Sequence, residues 1–97
     1  MNGLPDQPPV RVGTIIGDLS ASLFAAFGTL TAYIHAQKTG QGQMVDVGQL
    51  DSVLALTETA VVNYTVTGEI QKPLGNQHPF VRPYELFNCA DGYIFFG

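Results

Sequence analysis

The sequence has few charged residues and a single cysteine, and both scarcities exclude classes of protein. Charged residues are 12% of the 97, with four lysines and arginines against eight aspartates and glutamates, for a net charge of −4. This balance gives no basic patch to attract nucleic acid or an anionic membrane, so neither is expected as a partner. Cys89 has no second cysteine for an internal disulfide, which is typical of a reducing compartment and excludes a cysteine-based metal site.

Targeting signals are also absent from the printed sequence. The first residues, MNGLPDQPPVRVG, lack the basic start and apolar run of a signal peptide, so the cytoplasm is the predicted location. Residues 19–37 contain no Asp, Glu, Lys or Arg and approach the length of a membrane span. Because serine, threonine, glycine and histidine interrupt this run, it predicts a buried soluble helix instead.

What the sequence has in quantity is apolar side chains. They make up 45% of the residues, which indicates a globular chain, and 97 residues suffice for one small domain. A chain of this size buries only about 60–70% of its unfolded surface, so a free monomer is expected to leave apolar area exposed. We therefore expect a partner surface, either a second copy in a homo-oligomer or the rest of a larger protein.

The periodicity of the first half predicts two long helices around a short strand. Asp18 is a preferred N-cap type, and the apolar residues after it recur at helical spacing, with an end near Lys38 and Gly40. Small residues around Gly28 allow another element to approach this helix, which is expected to be buried on most sides. Residues 43–47 alternate like a half-buried strand, and residues 50–67 form a second apolar stripe that stops at Gly68.

The second half predicts a crossover and a hairpin. Residues 69–83 are rich in proline and have no periodicity, which is typical of a linker. Residues 84–89 and 93–96 flank the turn Ala90-Asp91-Gly92 as strands of a β-hairpin, with Cys89 expected to pack inside it. The predicted fold class is α/β: two long helices, a short strand, a Pro-rich crossover and a terminal β-hairpin.

Asp18 is the residue best placed for chemistry. A carboxylate in the first turn of a helix meets free N–H donors and the positive end of the helix dipole, and it could attack a carbonyl carbon. Gly17 beside it would let a ligand approach the backbone closely. An ordinary N-cap role for Asp18 is the alternative, and position alone favours it.

The other candidates have simpler structural interpretations. His35 is expected to be a structural or partly exposed histidine, and it has no metal-ligand spacing to His78. His78, with Asn76 and Arg82 nearby, could border an acyl or phosphate group, although a solvated loop is the favoured interpretation. The remaining carboxylates considered are surface groups of the strand and second helix, and no metal site is expected: Asp46, Asp51 and Glu58.

Several separated motifs resemble the family III CoA-transferases, in the order in which that family has them. IGDLSASLFAAFG is similar to the family's segment of Gly-Asp followed by a helix, and KTGQGQMVDVGQLD to its helix end, turn, strand and next helix start. GNQHP and ADGYIFF resemble the crossing from the large domain to the small one. The resemblance covers nearly the whole chain and implies a partial family III fold, intertwined or oligomeric: 1–68 from the large domain, 69–83 a linker and 84–97 the start of the small domain.

The resemblance also implies a reaction. Asp18 would be the nucleophile that attacks an acyl-CoA thioester to form a mixed aspartyl anhydride, from which CoA passes to a carboxylic acid acceptor. Gly17 and His78 would border the CoA thioester, which is a substrate, and no tightly bound cofactor is implied. Members of the family are several times longer, so the chain is interpreted as a central, truncated piece that is inactive alone.

Two other functions remain open at this point. One is a site similar to that of the related α-methylacyl-CoA racemases, in which Asp18 would exchange an α-proton with the help of a separate base. The other is a truncated, non-catalytic oligomerising module. Where formyl-CoA transferases carry a run of glycines, this chain has Asn76-Gln77-His78-Pro79, which disfavours a formyl or oxalyl substrate.

Overall fold

The computed structural model describes residues 2–97 and contains three helices and one hairpin within them. The elements are α1 (Ile16–Thr39), α2 (Gln49–Ala55), α3 (Glu58–Thr67), β1 (Glu85–Cys89) and β2 (Gly92–Phe96). They fall into two compact units, one formed by Gly13–Glu69 and the other by the residues up to Val12 together with Ile70–Gly97. The assignment of 1–68, 69–83 and 84–97 to a large domain, a linker and a small domain stays a prediction.

Helix α1 begins earlier than the sequence predicted. Ile15 is the N-cap, and the first helical hydrogen bond runs from the Leu19 amide to the Ile15 carbonyl at 3.1 Å. Asp18 is therefore the third residue of the helix, and the prediction that it is the N-cap is wrong. Its carboxylate makes no cap bond because it accepts a hydrogen bond from a side chain of another helix instead.

The two predicted helix ends are confirmed. Gly40 has the left-handed φ of 73° and donates its N–H to the Ala36 carbonyl at 2.8 Å, and Lys38 lies in the last turn of α1. Gly68 has a φ of 75° and donates to the Tyr64 carbonyl at 2.8 Å. Both positions need glycine because a side chain there would strain the backbone.

The strand predicted at residues 43–47 is wrong. Residues 41–48 carry no strand, since the described part of the chain offers them no neighbouring strand with which to form a ladder. They pack against α1 at Gly28, where an added Cβ would lie only 2.7 Å from Val45 Cγ1. The close approach predicted from the small residues around Gly28 is thus confirmed.

The single helix predicted over residues 50–67 is two helices. The Leu56 and Thr57 amides bond to carbonyls three residues back, at 3.1 and 3.0 Å, which closes α2 in a tight turn. The Thr57 hydroxyl also donates to the Leu54 carbonyl at 2.9 Å, and such local bonds compete with helix continuation. Helix α3 then begins at Glu58.

Burial on α1 is much lower than predicted. Only Ser20 and Ala32 of this 24-residue helix are buried in the chain, while Leu23 and Phe27 are 63% and 69% exposed. The reason is that, within residues 2–97, α2 and residues 41–48 cover only one side of the helix. Helix α1 is long and apolar enough to cross a membrane, but core helices of soluble proteins can have the same length and composition. Its interpretation as a soluble helix therefore stays a prediction.

The predicted hairpin is confirmed. Strands β1 and β2 pair antiparallel from Glu85 opposite Phe96 to Cys89 opposite Gly92, joined by Ala90 and Asp91. Cys89 is a free, exposed cysteine, so the prediction that it packs inside the hairpin is wrong. A two-stranded sheet by itself has no interior, and apolar residues lie exposed on both of its faces.

Candidate functional site

Asp18 lies at the exposed N-terminal turn of α1 and is held by one long-range contact. Gln49, the first residue of α2, donates from Nε2 to Asp18 Oδ1 at 2.6 Å. Among residues 2–97, no donor bonds to the second carboxylate oxygen, Oδ2. The geometry therefore presents an oriented carboxylate with one oxygen occupied and one open to a ligand.

Packing between the first turns of α1 and α2 brings these two side chains together. Ser20 and Ser52 are 4% and 3% exposed, and each satisfies its hydroxyl locally by donating to a carbonyl of its own helix start, that of Gly17 at 3.1 Å and of Gly48 at 2.8 Å. Small, internally bonded side chains let the two helices approach without an unpaired polar group. As a result, Gln49 reaches Asp18 across 31 residues of sequence.

Gly17 lies in the first turn of α1, next to α2, and nothing in its surroundings requires glycine. It is half-buried in α1, and an added Cβ would lie 3.8 Å from Val53 Cγ2, an ordinary van der Waals distance. Gly17 does not have a positive φ, so its backbone conformation does not require glycine. That Gly17 lets CoA approach the backbone closely stays a prediction.

His78 belongs to the other compact unit and organises its own loop. Its Nδ1 accepts hydrogen bonds from the Phe80 and Val81 amides at 3.2 and 3.0 Å, and the backbone N–H of His78 donates to the Tyr84 carbonyl at 3.0 Å. The ring also meets Tyr84 edge-on, with centroids 5.1 Å apart. Because Nδ1 is occupied as an acceptor, only Nε2 remains to meet a ligand, and in the neutral ring that nitrogen is a donor.

The residues near His78 bond mainly to one another. Arg82 donates from its guanidinium to Gln77 Oε1 at 3.3 Å and lies 3.8 Å from Glu85 Oε1. Asn76 instead borders a shallow cleft of about 420 Å³ with the N-terminal residues of the same unit, among them Arg11. The sequence grouped Asn76, His78 and Arg82 as one candidate cluster, and the structure directs them to separate partners.

A second cleft, of about 260 Å³, lies in the unit that contains Asp18. Its lining comes from α1, the 41–48 segment and α2: Phe24, Asp46, Val47, Gly48, Asp51, Ser52 and Ala55. Neither cleft includes Asp18, Gly17 or His78. Within residues 2–97 the histidine, cysteine, aspartate and glutamate side chains form no cluster of three or more suited to a metal ion.

The residue that sequence reasoning missed is Gln49. The predicted second helix begins at residue 50 and does not include Gln49, and nothing local marks this residue as a partner of Asp18. The usable signal was indirect: both residues lie in first turns of helices separated by a short connection. Such an arrangement allows the two helix starts to meet only if the intervening segment folds back along α1, which residue periodicity does not reveal.

Comparisons with known proteins identify the family. The model of CoA-transferase family III matches residues 1–97. Succinyl-CoA–D-citramalate CoA-transferase of Chloroflexus aurantiacus is 45% identical over 95 residues, which cover 98% of this chain and 24% of that protein. Succinyl-CoA:mesaconate CoA-transferase of Haloarcula hispanica is 40% identical over 94 residues, covering 97% of this chain and 24% of that protein.

A solved structure agrees with the sequence comparisons. The crystal structure of a CaiB/BaiF family protein from Brucella suis matches with a TM-score of 0.83 and 30% identity, over 96% of this chain and 25% of that one. The chain thus spans about a quarter of the length of the relatives it matches. On the match of the family model over its full length, this chain belongs to CoA-transferase family III.

Proposed function

We propose that this chain carries the nucleophile of a CoA-transferase that moves CoA between an acyl-CoA and a carboxylic acid. The observation that carries the proposal is the Asp18 carboxylate, exposed on the first turn of α1, oriented through Oδ1 and open at Oδ2. A carboxylate suits this chemistry because its acyl anhydride and its CoA thioester are both activated, so the reaction can run in either direction.

The proposed reaction has two halves. Asp18 Oδ2 attacks the thioester carbonyl carbon, the C–S bond breaks, and the products are an aspartyl anhydride and the CoA thiolate. The thiolate attacks Cγ of Asp18, the anhydride C–O bond breaks, and the first acid leaves with the former Oδ2. The acceptor carboxylate repeats both steps in reverse order, taking CoA and restoring the Asp18 carboxylate.

The substrate class is drawn from the relatives. Those at 45% and 40% identity carry succinyl-CoA in their names, with D-citramalate or mesaconate as the second partner. We therefore propose a dicarboxylic acyl group as the donor and a dicarboxylic acid as the acceptor. CoA is a substrate here, and Gly17 is the proposed point at which it approaches the backbone of α1.

A covering partner is part of the proposal. The side chains that form the exposed apolar stripe of α1 are 47–69% exposed in the chain: Leu19, Leu23, Phe27, Leu30 and Ile34. Leaving such a stripe in water is unfavourable, at roughly 25 cal/mol for each Å² that a partner would cover. We propose that the chain works in a homo-oligomeric assembly, and that the dissociated 97-residue chain forms little covalent intermediate.

The test is a covalent mass on Asp18. Trypsin cleaves after Arg11 and Lys38, and the resulting peptide 12–38 contains one side-chain carboxylate, that of Asp18. The protein in its native assembly, incubated with succinyl-CoA and quenched, is expected to carry an adduct on this peptide that hydroxylamine traps. Asp18→Asn should abolish the adduct.

The matched control is Asp51→Asn. Asp51 occupies the same third position in α2 that Asp18 occupies in α1 and is likewise exposed, so a general effect of removing a first-turn carboxylate would appear in both variants. Retention of the adduct in Asp51→Asn supports the proposal. Solvent deuterium entering the acyl-CoA without any adduct would indicate a racemase-like site instead, and absence of both reactions would indicate a non-catalytic module.

A further inference from the structure

We propose that Gln49 is a positioning residue for the Asp18 carboxylate and that it stabilises charge on Oδ1 in the second half of the reaction. This inference rests on the proposed function of Asp18. The observation that supports it is the 2.6 Å hydrogen bond from Gln49 Nε2 to Asp18 Oδ1, which joins two helices across 31 residues.

The chemistry of a carboxamide fixes which atoms meet. The Gln49 nitrogen only donates and its oxygen only accepts, whereas an ionised carboxylate only accepts. The nitrogen must therefore face Asp18, and an inverted amide would place two acceptors in contact. Since Oδ1 is the bonded oxygen, Oδ2 is the one that attacks the thioester.

The same donor serves two states of Asp18 differently. When Oδ2 attacks, the carboxylate loses charge, so a hydrogen bond to Oδ1 gives no advantage in that step. Oδ1 then becomes the carbonyl oxygen of the aspartyl anhydride. When the CoA thiolate adds to Cγ, a full negative charge develops on Oδ1, and the Gln49 N–H already points at it. Preorganised donors of this kind stabilise tetrahedral intermediates.

The inference predicts that Gln49 affects the two steps unequally. Loss of one preorganised donor slows a step by about 10²–10³-fold in a closed site, and the exposure of Asp18 lowers our expectation to about 10–100-fold for thiolate attack on Cγ. Formation of the anhydride should change by less than about threefold. Free CoA, released in the first step and consumed in the second, should therefore accumulate in Gln49→Leu.

The experiment follows free CoA thiol and peptide 12–38 in a single turnover of the protein in its native assembly with succinyl-CoA. Gln49→Leu is compared with Gln43→Leu, which removes an exposed glutamine for which the described residues show no side-chain hydrogen bond. A transient of free CoA in Gln49→Leu, and in neither the wild type nor Gln43→Leu, supports the inference. Equal partition of the steps in all three proteins overturns it and leaves the proposed function standing.

Gln49→Glu adds a pH profile that a purely structural contact would not produce. The introduced carboxyl can donate to the Oδ1 carbonyl of the anhydride only when it is protonated, and its protonated fraction rises as pH falls. The rate of the second step in Gln49→Glu, relative to that of the wild type at the same pH, should therefore rise as pH falls toward the ordinary range of a glutamate carboxyl, about 4–5. A pH dependence identical to that of the wild type overturns the inference.

A nuclear magnetic resonance measurement tests the contact itself without relying on turnover. The Gln49 side-chain amide resonances should move with the titration of Asp18 in the wild type and lose that movement in Asp18→Asn. Absence of the coupling overturns the inference alone. If the coupling is present but the wild type forms no adduct on peptide 12–38, the proposed function fails, and the inferred role in its second step fails with it.

Discussion

Asp18 and His78 differ in the range of the contacts that hold them. The Asp18 carboxylate is held by Gln49 from another helix, 31 residues away. The His78 ring is held by the amides of Phe80 and Val81, two and three residues away. Both side chains can take part in catalysis or ligand binding, and the sequence made both of them candidate site residues.

The difference distinguishes a reactive group held in position from a side chain whose hydrogen bonds stabilise its own loop. The contact to Asp18 leaves Oδ2 open and contributes no backbone hydrogen bond to the fold. The contacts to His78 consume its acceptor nitrogen and satisfy two backbone donors that the loop would otherwise expose to water. We therefore expect substitution of Asp18 to affect chemistry and substitution of His78 to affect stability.

The largest expected effect belongs to Asp18→Asn, which tests the chemical side of the comparison. Removing a covalent nucleophile should lower transfer on the order of 10⁴-fold or more. The melting temperature should stay nearly constant, because asparagine keeps an oxygen that can accept from Gln49. Steady-state CoA transfer and calorimetry on the same preparation check both parts. A large fall in melting temperature would show that the Asp18 carboxylate has mainly a structural role.

Gly28→Ala tests whether the unit containing Asp18 depends on contacts between distant segments. The new Cβ would lie 2.7 Å from Val45 Cγ1, and overpacking of this kind costs about 1–3 kcal/mol. Gly42→Ala is the control, since an added Cβ there meets nothing within 4 Å. Urea unfolding should separate the two variants. Equal stability would mean that residues 41–48 do not pack on α1 as described.

His78→Ala tests whether His78 stabilises its own loop. Loss of the two hydrogen bonds to Nδ1 in this partly exposed loop should cost about 0.5–1.5 kcal/mol, while transfer should change less than about fivefold. His78→Asn should recover part of the stability, because an asparagine oxygen can accept from the same backbone donors. If CoA transfer falls far more than the loss of stability explains, Nε2 contacts a substrate, and His78 has a chemical role as Asp18 does.

Gly17→Ala is expected to have the smallest effect on the fold. It tests whether succinyl-CoA binds against Gly17. The Val53 methyl at 3.8 Å leaves room for a Cβ, and alanine favours a helix by up to about 1 kcal/mol over glycine. Stability should therefore rise slightly. A rise in KM for succinyl-CoA in this more stable variant would place the ligand against Gly17, whereas unchanged kinetics would leave Gly17 a helix-packing residue.

Features encoded by neighbouring residues were predictable from the sequence. Gly40 and Gly68 end their helices as expected, and the hairpin forms around Ala90 and Asp91. Each depends on conformational preferences within a few residues, which a sequence displays directly. The family was also evident, because several motifs occur in its order along the chain.

Features that depend on distant partners were not predictable. The strand expected at 43–47 needs a neighbouring strand, and Cys89 needs a covered hairpin face before it can be buried. The break of the second helix at Leu56 and Thr57 is local, but it depends on the Thr57 hydroxyl bonding to the Leu54 carbonyl rather than to water, which apolar periodicity does not show. The bond from Gln49 to Asp18 depends on the packing of two helices. In the other three cases the deciding contact is with a distant partner, which a local pattern of residues does not show.

The most direct test of Asp18 as the nucleophile follows oxygen atoms through turnover. When an acceptor acid labelled with ¹⁸O in its carboxylate attacks the aspartyl-CoA thioester, one labelled oxygen becomes the bridge of the new anhydride. Attack of the CoA thiolate on the acceptor carbonyl carbon then leaves that oxygen on Asp18. After turnover and digestion in unlabelled water, we expect heavy oxygen in peptide 12–38, whose one side-chain carboxylate is Asp18. Continued CoA transfer with no label in this peptide would contradict the mechanism.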